Sequence, residues 1–297
     1  MQQVIGVDLG GTAIKVGRFN RAGDCLQFQT VATPQPQHPE PVIEAIAEAI
    51  AAIDPDGHAL AVGVGTPGPT DAAGRVARIA INLPGWLDVN VAERLEALIH
   101  KPVVIGNDAN CAGLGEAWLG AGAPFQNLIL LTLGTGAGGC IILNDQLYVG
   151  QDGAAGELGL VTLDPSGPAC HSGNSGSLEQ YVSAQAVRRE TGREPLELAD
   201  LAALGVADAR QYWQTYGRRL AQGLVSSIYV LNPEAVIIGG GISAAARWFL
   251  PATEAEIHRR IRPRYRRRLK LLTATLGNRA GVVGAAKLAW EHLKQTS

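Results

Sequence analysis

Eight consecutive residues near the start of the chain, Asp8-Leu9-Gly10-Gly11-Thr12-Ala13-Ile14-Lys15, combine the groups that hold a phosphate. Glycine lets backbone N–H groups approach an anion with no Cβ in the way, while Thr12 adds a hydroxyl donor and Lys15 a cation. Asp8 suits a magnesium ion, directly or through water, because Mg2+ takes a few carboxylate oxygens together with water and phosphate. An ordinary glycine hairpin turn would use the same residues, and neither the Walker spacing nor the dinucleotide fingerprint is present. Gly134-Thr135-Gly136-Ala137-Gly138-Gly139 repeats the pattern: a shift of 124 positions superposes Leu9-Gly10 on Leu133-Gly134 and Ala13 on Ala137. Two such turns facing one cleft could clamp a polyphosphate chain from both sides. Gly239-Gly240-Gly241 follows a buried apolar run and either lets a flat nucleobase lie against bare backbone or makes a tight strand-to-helix turn. In Asn107-Asp108-Ala109-Asn110, Asp108 is either the acceptor of a substrate hydroxyl proton, as phosphoryl transfer requires, or a helix N-cap.

These residues need elements to position them. Val4 to Phe19 reads as strand, glycine turn, strand, and Cys25 to Val31 as a third extended run after the turn at Ala22-Gly23-Asp24. Ile43, Ile46, Ile50 and Ile53 recur at helical spacing, Ala59 to Val64 is a buried strand, Val91, Leu95, Leu98 and Ile99 mark a second helix, Pro102 to Ile105 a strand and Ala109 to Leu119 an apolar helix. The order is βββαβα. It restarts at Leu128 to Leu133, Cys140 to Leu143 and Leu147-Tyr148-Val149, and continues with a long helix through Tyr216, Leu220, Leu224, Ile228 and Leu231 that stops at Asn232-Pro233, then a buried strand at Ala235 to Ile238. A duplicated α/β architecture with an interdomain cleft follows, and ligands of open α/β sheets sit beyond the carboxyl ends of the strands.

Composition removes several other classes. The chain has 297 residues, 46% hydrophobic and 18% charged, enough for a large core without disulfides. Its 25 Lys and Arg nearly balance 27 Asp and Glu, so a formal charge of -2 supplies no global attraction for nucleic acid or acidic membranes. Cys25, Cys111, Cys140 and Cys170 lie far apart with no C-x-x-C pair, which fits a reducing cytoplasm. The longest apolar stretch, Leu128 to Leu143, is interrupted by glycines, and Met1-Gln2-Gln3 has no basic start, so neither membrane spanning nor secretion is expected.

The chain resembles the sugar kinases of the ROK family (repressors, open reading frames, kinases), most of all the bacterial glucokinases. The resemblance runs through D-L-G-G-T-A-I-K at Asp8 to Lys15, G-V-G-T-P-G-P at Gly63 to Pro69, N-L-P-G-W at Asn82 to Trp86, G-N-D-A-N at Gly106 to Asn110, L-G-T-G-A-G-G at Leu133 to Gly139, G-E-L-G at Gly156 to Gly159 and G-G-G-I at Gly239 to Ile242. It implies an actin-like ATPase fold of two ribonuclease-H-like domains and ATP-dependent phosphorylation of a hexose 6-hydroxyl, glucose first, with fructose, N-acetylmannosamine, N-acetylglucosamine and allose as alternatives. Asp108 would be the base; Asn82, Asn107, Glu157 and Glu179, with the Gly65 backbone, would hold the other hydroxyls. Asp8 would serve Mg2+, Gly10, Gly11, Thr12 and Lys15 with Thr135, Gly136 and Gly138 would meet the phosphates, and Gly239, Gly240 and Gly241 the nucleoside. The domains expected are 1–108 with 278–297, and 109–277, in a homodimer.

One region departs from the family pattern. A His usually follows G-E-L-G, and C-x-C-G-x-x-G-C-x-E then completes a His and three Cys around structural zinc. Here Leu160 replaces the His, Cys170 keeps the first Cys, Ser172 and Ser177 replace the others, and Glu179 is retained. One thiol cannot hold closed tetrahedral zinc, so no zinc is expected. Leu160 also removes a hydrogen-bond partner that the family places near the anomeric carbon, which puts sugar selectivity in question. Eight cations in twelve positions, Arg259, Arg260, Arg262, Arg264, Arg266, Arg267, Arg268 and Lys270, read as a solvated helix end, a polyphosphate track or a nucleic-acid patch, the last disfavoured by the balanced charge. A sugar-sensing regulator is the non-enzyme alternative, but family regulators place a helix-turn-helix ahead of the sugar domain, and the first strand here begins at Val4.

Overall fold

The computed structural model describes residues 2–80 and 83–295. It divides into two compact units, the first made of 2–80, 83–124, 146–155 and 278–295, the second of 125–145 and 156–277.

In the first unit, β1 (Gln3–Leu9), β2 (Ala13–Asn20) and β3 (Cys25–Ala32) form an antiparallel meander. After α1 (Pro39–Ile53), β4 (Ala59–Thr66) pairs parallel to β1; β5 (Ala77–Ile79) and β6 (Leu87–Val89) make a small separate ribbon; α2 (Val91–Ile99) leads to β7 (Val103–Asn107), parallel to β4, and then to α3 (Asp108–Leu119). The sheet order is β3-β2-β1-β4-β7. Its parallel centre is buried on both faces and therefore reads as unbroken apolar runs, with Val4, Ile5, Val7, Val62 and Val64 fully buried. Pro39 opens α1, where its missing N–H costs nothing, and Val42, Ile43, Ile46, Ile50 and Ile53 turn one stripe into the core.

The second unit repeats the plan. β8 (Leu128–Leu133) and β9 (Ala137–Leu143) form a hairpin; β10 (Gln146–Leu147) falls in the segment that goes with the first unit. β10 is shorter and earlier than the run expected at Leu147-Tyr148-Val149, because Gly150 at φ 72° turns the chain directly afterwards. Short helices α4 (Glu179–Val182), α5 (Ala184–Thr191) and α6 (Pro195–Ala203) precede α7 (Ala207–Leu231), which ends where Asn232 turns left-handed at φ 48° before Pro233. β11 (Ala235–Gly239), α8 (Ala246–Arg260), α9 (Pro263–Arg266) and β12 (Lys270–Thr273) follow. The long strands lie in the order β9-β8-β11-β12, the last three parallel. Trp213, Tyr216 and Phe249 stack at the centre of this core, and the Tyr216 hydroxyl, buried among them, donates to Val182 O at 2.7 Å.

The first unit has the strand order of a ribonuclease-H-like domain, and the second unit repeats its β2-β1-β4-β7 part as β9-β8-β11-β12. The boundary lies at 124 instead of 108, since α3 packs on the final helix α10 (Ala280–Gln295) and stays with the first unit. The packing is backbone to backbone. A Cβ on Gly284 would lie 1.6 Å from Cys111 O, and one on Gly115 would lie 2.3 Å from Ala280 O. Gly6 and Gly63 admit α10 against the sheet in the same way, at 2.1 Å from Val282 O and 1.9 Å from Ala285 O.

Candidate active site

In the first unit the chemistry-bearing residues leave three adjacent parallel strands at one edge. Asp8 pairs in register with Gly65, and Gly65 with Gly106, so the carboxyl ends of β1, β4 and β7 present Asp8, Gly65 and Asn107-Asp108 side by side. Asn107 is the helix cap: its Oδ1 accepts from the N–H groups of Ala109 at 2.9 Å and Asn110 at 3.2 Å, and its Nδ2 donates to Gly68 O at 3.0 Å. The Asn107 side chain also hydrogen-bonds the Asp108 carboxyl, which works against the rise in that group's pKa. Because the cap is taken by its neighbour, Asp108 becomes the first residue of α3; the residue keeps an open side to solvent while protein crowds its carboxyl, whose Oδ1 accepts from Ala109 N at 2.8 Å. Desolvation pushes its carboxyl above the ordinary aspartate range, and the negative charge of Asp8 adds to the rise. Gly65 itself is buried, with Cys111 Sγ 3.2 Å from where its Cβ would stand.

Asp8 is held from two sides. Its cross-strand partner Lys15 donates from Nζ to Oδ2 at 2.9 Å, which sets the cation expected at a phosphate beside Asp8. Behind it, a Cβ on Gly281 would lie 2.7 Å from Oδ1, which makes glycine at 281 a condition for seating this carboxylate. Sequence patterning did not single out Gly281, as 273 positions separate the pair. The turn that follows is fixed by loop 33–37: Thr33 Oγ1 donates to Gly10 O at 2.7 Å and Gln37 Nε2 to Gly11 O at 3.0 Å, leaving Gly11 and Thr12 exposed.

The second unit builds its site from the β8–β9 turn and the β11 end. Gly134 N donates to Gly136 O at 2.9 Å, and Ala184 N donates to Gly134 O at 2.8 Å. Glu179 Oε2 accepts from Ala137 N at 2.9 Å and lies 2.5 Å from where a Cβ on Gly136 would be. A residue expected to touch sugar thus also buttresses the turn expected to touch phosphate, with Thr135 exposed at its tip. Gly239 pairs with Thr132, and Gly240, at φ 79°, has no room for a Cβ because Leu133 O lies 2.3 Å away. The loops after β8 and β11 are therefore neighbours. Glu157 is exposed at the cap of a short turn (Leu158–Leu160), pressed on β9 by Gly159, whose Cβ would lie 1.9 Å from Ala137 O. Asn82 lies outside the described residues.

Gly11, Gly134 and Gly241 differ from these. An added Cβ there meets no atom within 4 Å, and none of the three has positive φ. Neither packing nor a positive φ demands glycine at these positions, and their backbone is open to close approach from outside.

The positions implied for zinc do not fit that metal, since Leu160 offers no ligand and Ser172 and Ser177 offer hydroxyls. Ser172 Oγ donates to Cys170 Sγ at 3.3 Å. Burial alone would raise the Cys170 thiol, but hydrogen bonds with Ser172 and Ser177 outweigh it and hold the thiol below its ordinary value. A different group does form here: ligand atoms of Cys170, His171 and Glu179 lie within 4.8 Å of one another, with His171 Nδ1 3.5 Å from Glu179 Oε1. His171 sits beside the retained carboxylate, a proximity that sequence reading missed because it saw only a remnant of the cysteine motif.

Comparison with known proteins places the whole chain in one family. The ROK family profile matches residues 4–292. A glucokinase from Thermotoga maritima is 34% identical, with 98% of each chain covered. Among solved structures, a ROK hexokinase from Thermus thermophilus superposes with a TM-score of 0.87 at 33% identity, covering 99% of both chains. A ROK family glucokinase from Streptomyces griseus, in complex with glucose and AMPPNP, superposes at 0.81 and 33% identity, covering 97% of this chain and 99% of that one.

Proposed function

The chain belongs to the ROK family, and on that premise we propose that this sugar kinase of actin-like ATPase fold transfers the γ-phosphoryl group of ATP to the 6-hydroxyl of a hexose, with glucose as preferred acceptor. The observation that carries the reading is the set of carboxyl strand ends in the first unit, where Asn107 takes the cap and frees Asp108 beside Asp8 and Gly65.

In this reading Asp108 accepts the hydroxyl proton as the oxygen–phosphorus bond forms and the bond to the ADP leaving oxygen breaks. Its raised pKa keeps it a competent acceptor at neutral pH while shifting the acid limb of turnover above that of an ordinary aspartate. Positioning dominates such a reaction, since a loose transition state needs little base strength. Gly65, Asn82, Asn107, Glu157 and Glu179 bind and orient the sugar. The open backbone at Gly11, Thr12, Gly134 and Thr135, with Gly10, Gly136 and Gly138 shaping the turns, receives phosphate oxygens; Gly239, Gly240 and Gly241 receive the nucleoside. Asp8, a carboxylate at a strand end fixed by Lys15 and Gly281, fits Mg2+, which would neutralise phosphate charge when bound with ATP. Homodimer assembly, a cytoplasmic setting, and independence of zinc, nucleic acid and membranes belong to the same proposal. Among the described residues no helix is long and apolar enough to cross a membrane.

A coupled assay with glucose, fructose, N-acetylmannosamine, N-acetylglucosamine and allose, each with ATP and with polyphosphate, tests it. Glucose with ATP should give the highest kcat/KM; a higher value for another pair would replace the acceptor or donor named here.

A further inference from the structure

The basic run does not behave as one surface. Arg259 and Arg260 are satisfied by Glu256, whose carboxyl they hold down to about 2; Arg259 Nη2 lies 2.7 Å from Oε1. Arg266 Nε donates to Ile261 O at 3.0 Å. Arg267 and Arg268, both exposed, have no hydrogen bond or ion pair among the described residues, and Arg264 only lies over the Tyr265 ring, 5.2 Å from its centroid. These three arginines converge on a cavity of about 650 Å³, within the range of small-molecule sites. Among the described residues the one carboxylate on its wall is Glu234, whose Oε2 is already taken by the N–H groups of Gln126 and Asn127 at 2.9 Å each. Three guanidinium groups facing one engaged carboxylate leave the cavity with excess positive charge.

The position of the cavity is equally informative. Asn127, Glu234 and Leu269 line it, and each immediately precedes a parallel strand, β8, β11 or β12. The glycine turns expected at phosphate and nucleoside follow the other ends of β8 and β11. Six residues of β8 separate the two sites, about 20 Å at the rise of an extended strand. The cavity is therefore distinct from the donor site.

We propose that this cavity is a second ligand site, at the amino ends of the second unit's parallel strands, for a small multiply phosphorylated molecule held by Arg264, Arg267 and Arg268. Planar guanidinium forks match phosphate oxygens in pairs, and a cavity of about 650 Å³ accommodates a nucleotide-sized ligand.

Isothermal titration calorimetry at low salt tests the assignment, with tripolyphosphate and a hexose 1,6-bisphosphate as probes and with glucose and Mg-AMPPNP saturating. At least one probe should bind once per chain. R267Q/R268Q should weaken that binding at least tenfold and R267K/R268K by clearly less, with melting temperatures of both variants close to that of the parent. Equal affinity in the parent and R267Q/R268Q, no binding of either probe, or binding seen only when Mg-AMPPNP is left out would each overturn the proposal.

Discussion

The two glycine turns, after β1 and after β8, share a sequence pattern and differ in what holds them. The first carries charge: Asp8 and Lys15 form an ion pair across β1 and β2, and loop 33–37 braces the turn by side-chain bonds to its carbonyls. The second carries none in the equivalent positions, where Thr132 and Gly139 stand for Asp8 and Lys15. Its brace is Glu179, delivered by a short helix to Ala137 N. A duplicated turn has thus been divided between tasks. The first unit contributes a fixed carboxylate; the second couples the turn to a residue proposed to read the sugar.

Breaking the charged side should cost most. Asp108→Asn is expected to keep glucose binding by calorimetry and to lower kcat by about 10³-fold or more. Its melting temperature should rise at neutral pH: the folded state raises this pKa, so ionisation carries a penalty that sets in as pH climbs past the unfolded value, is complete above the folded one, and is removed by Asn. Near-normal turnover would remove Asp108 from the mechanism. Asp8→Asn should cost roughly 10²-fold in kcat/KM, whereas Thr132→Val, at the matching place in the second unit, should change it less than about threefold; similar losses in both would erase the asymmetry drawn above.

On the uncharged side, Glu179→Gln should lower kcat/KM for glucose by ~10²-fold and also raise KM for ATP, as one side chain supports both sites. An unchanged ATP KM would uncouple them. Gly11→Ala and Gly134→Ala meet no protein atom within 4 Å, so they should leave the melting temperature unaltered and raise ATP KM about tenfold, near 1.4 kcal/mol of binding. The smallest expected effect concerns zinc. Chelator treatment followed by Mg2+ should restore full activity, and persistent loss would point instead to a metal at Cys170, His171 and Glu179.

Much of this architecture is legible in the sequence itself. The strand-turn-strand openings, the apolar stripe of α1 and the stop at Asn232-Pro233 all follow from local periodicity and turn chemistry. Asp108 was legible only as an ambiguity between base and cap, because both tasks suit an aspartate at a helix start; the resolution is that Asn107 lies one residue earlier and bonds the free N–H groups. The pairing of Lys15 with Asp8 depends on hairpin register, which the turn residues alone did not specify. Gly281 behind Asp8, Gly159 on Ala137 and His171 beside Glu179 are contacts of tertiary origin, without periodic signature. The domain boundary slipped from 108 to 124 for the same reason, since what keeps α3 in the first unit is a helix more than 160 residues later.

That last helix sets an order on biosynthesis. The first unit owns both ends of the chain, and the slots opened by Gly6, Gly63 and Gly115 stay empty until residues 280–295 have left the ribosome. The second unit is by then complete and free to fold while the first still waits. During that interval the face of β1 and β4 that α10 will cover, with Val4 and Ala61 beside Gly6 and Gly63, stays open, so its burial is the last step in completing the first unit.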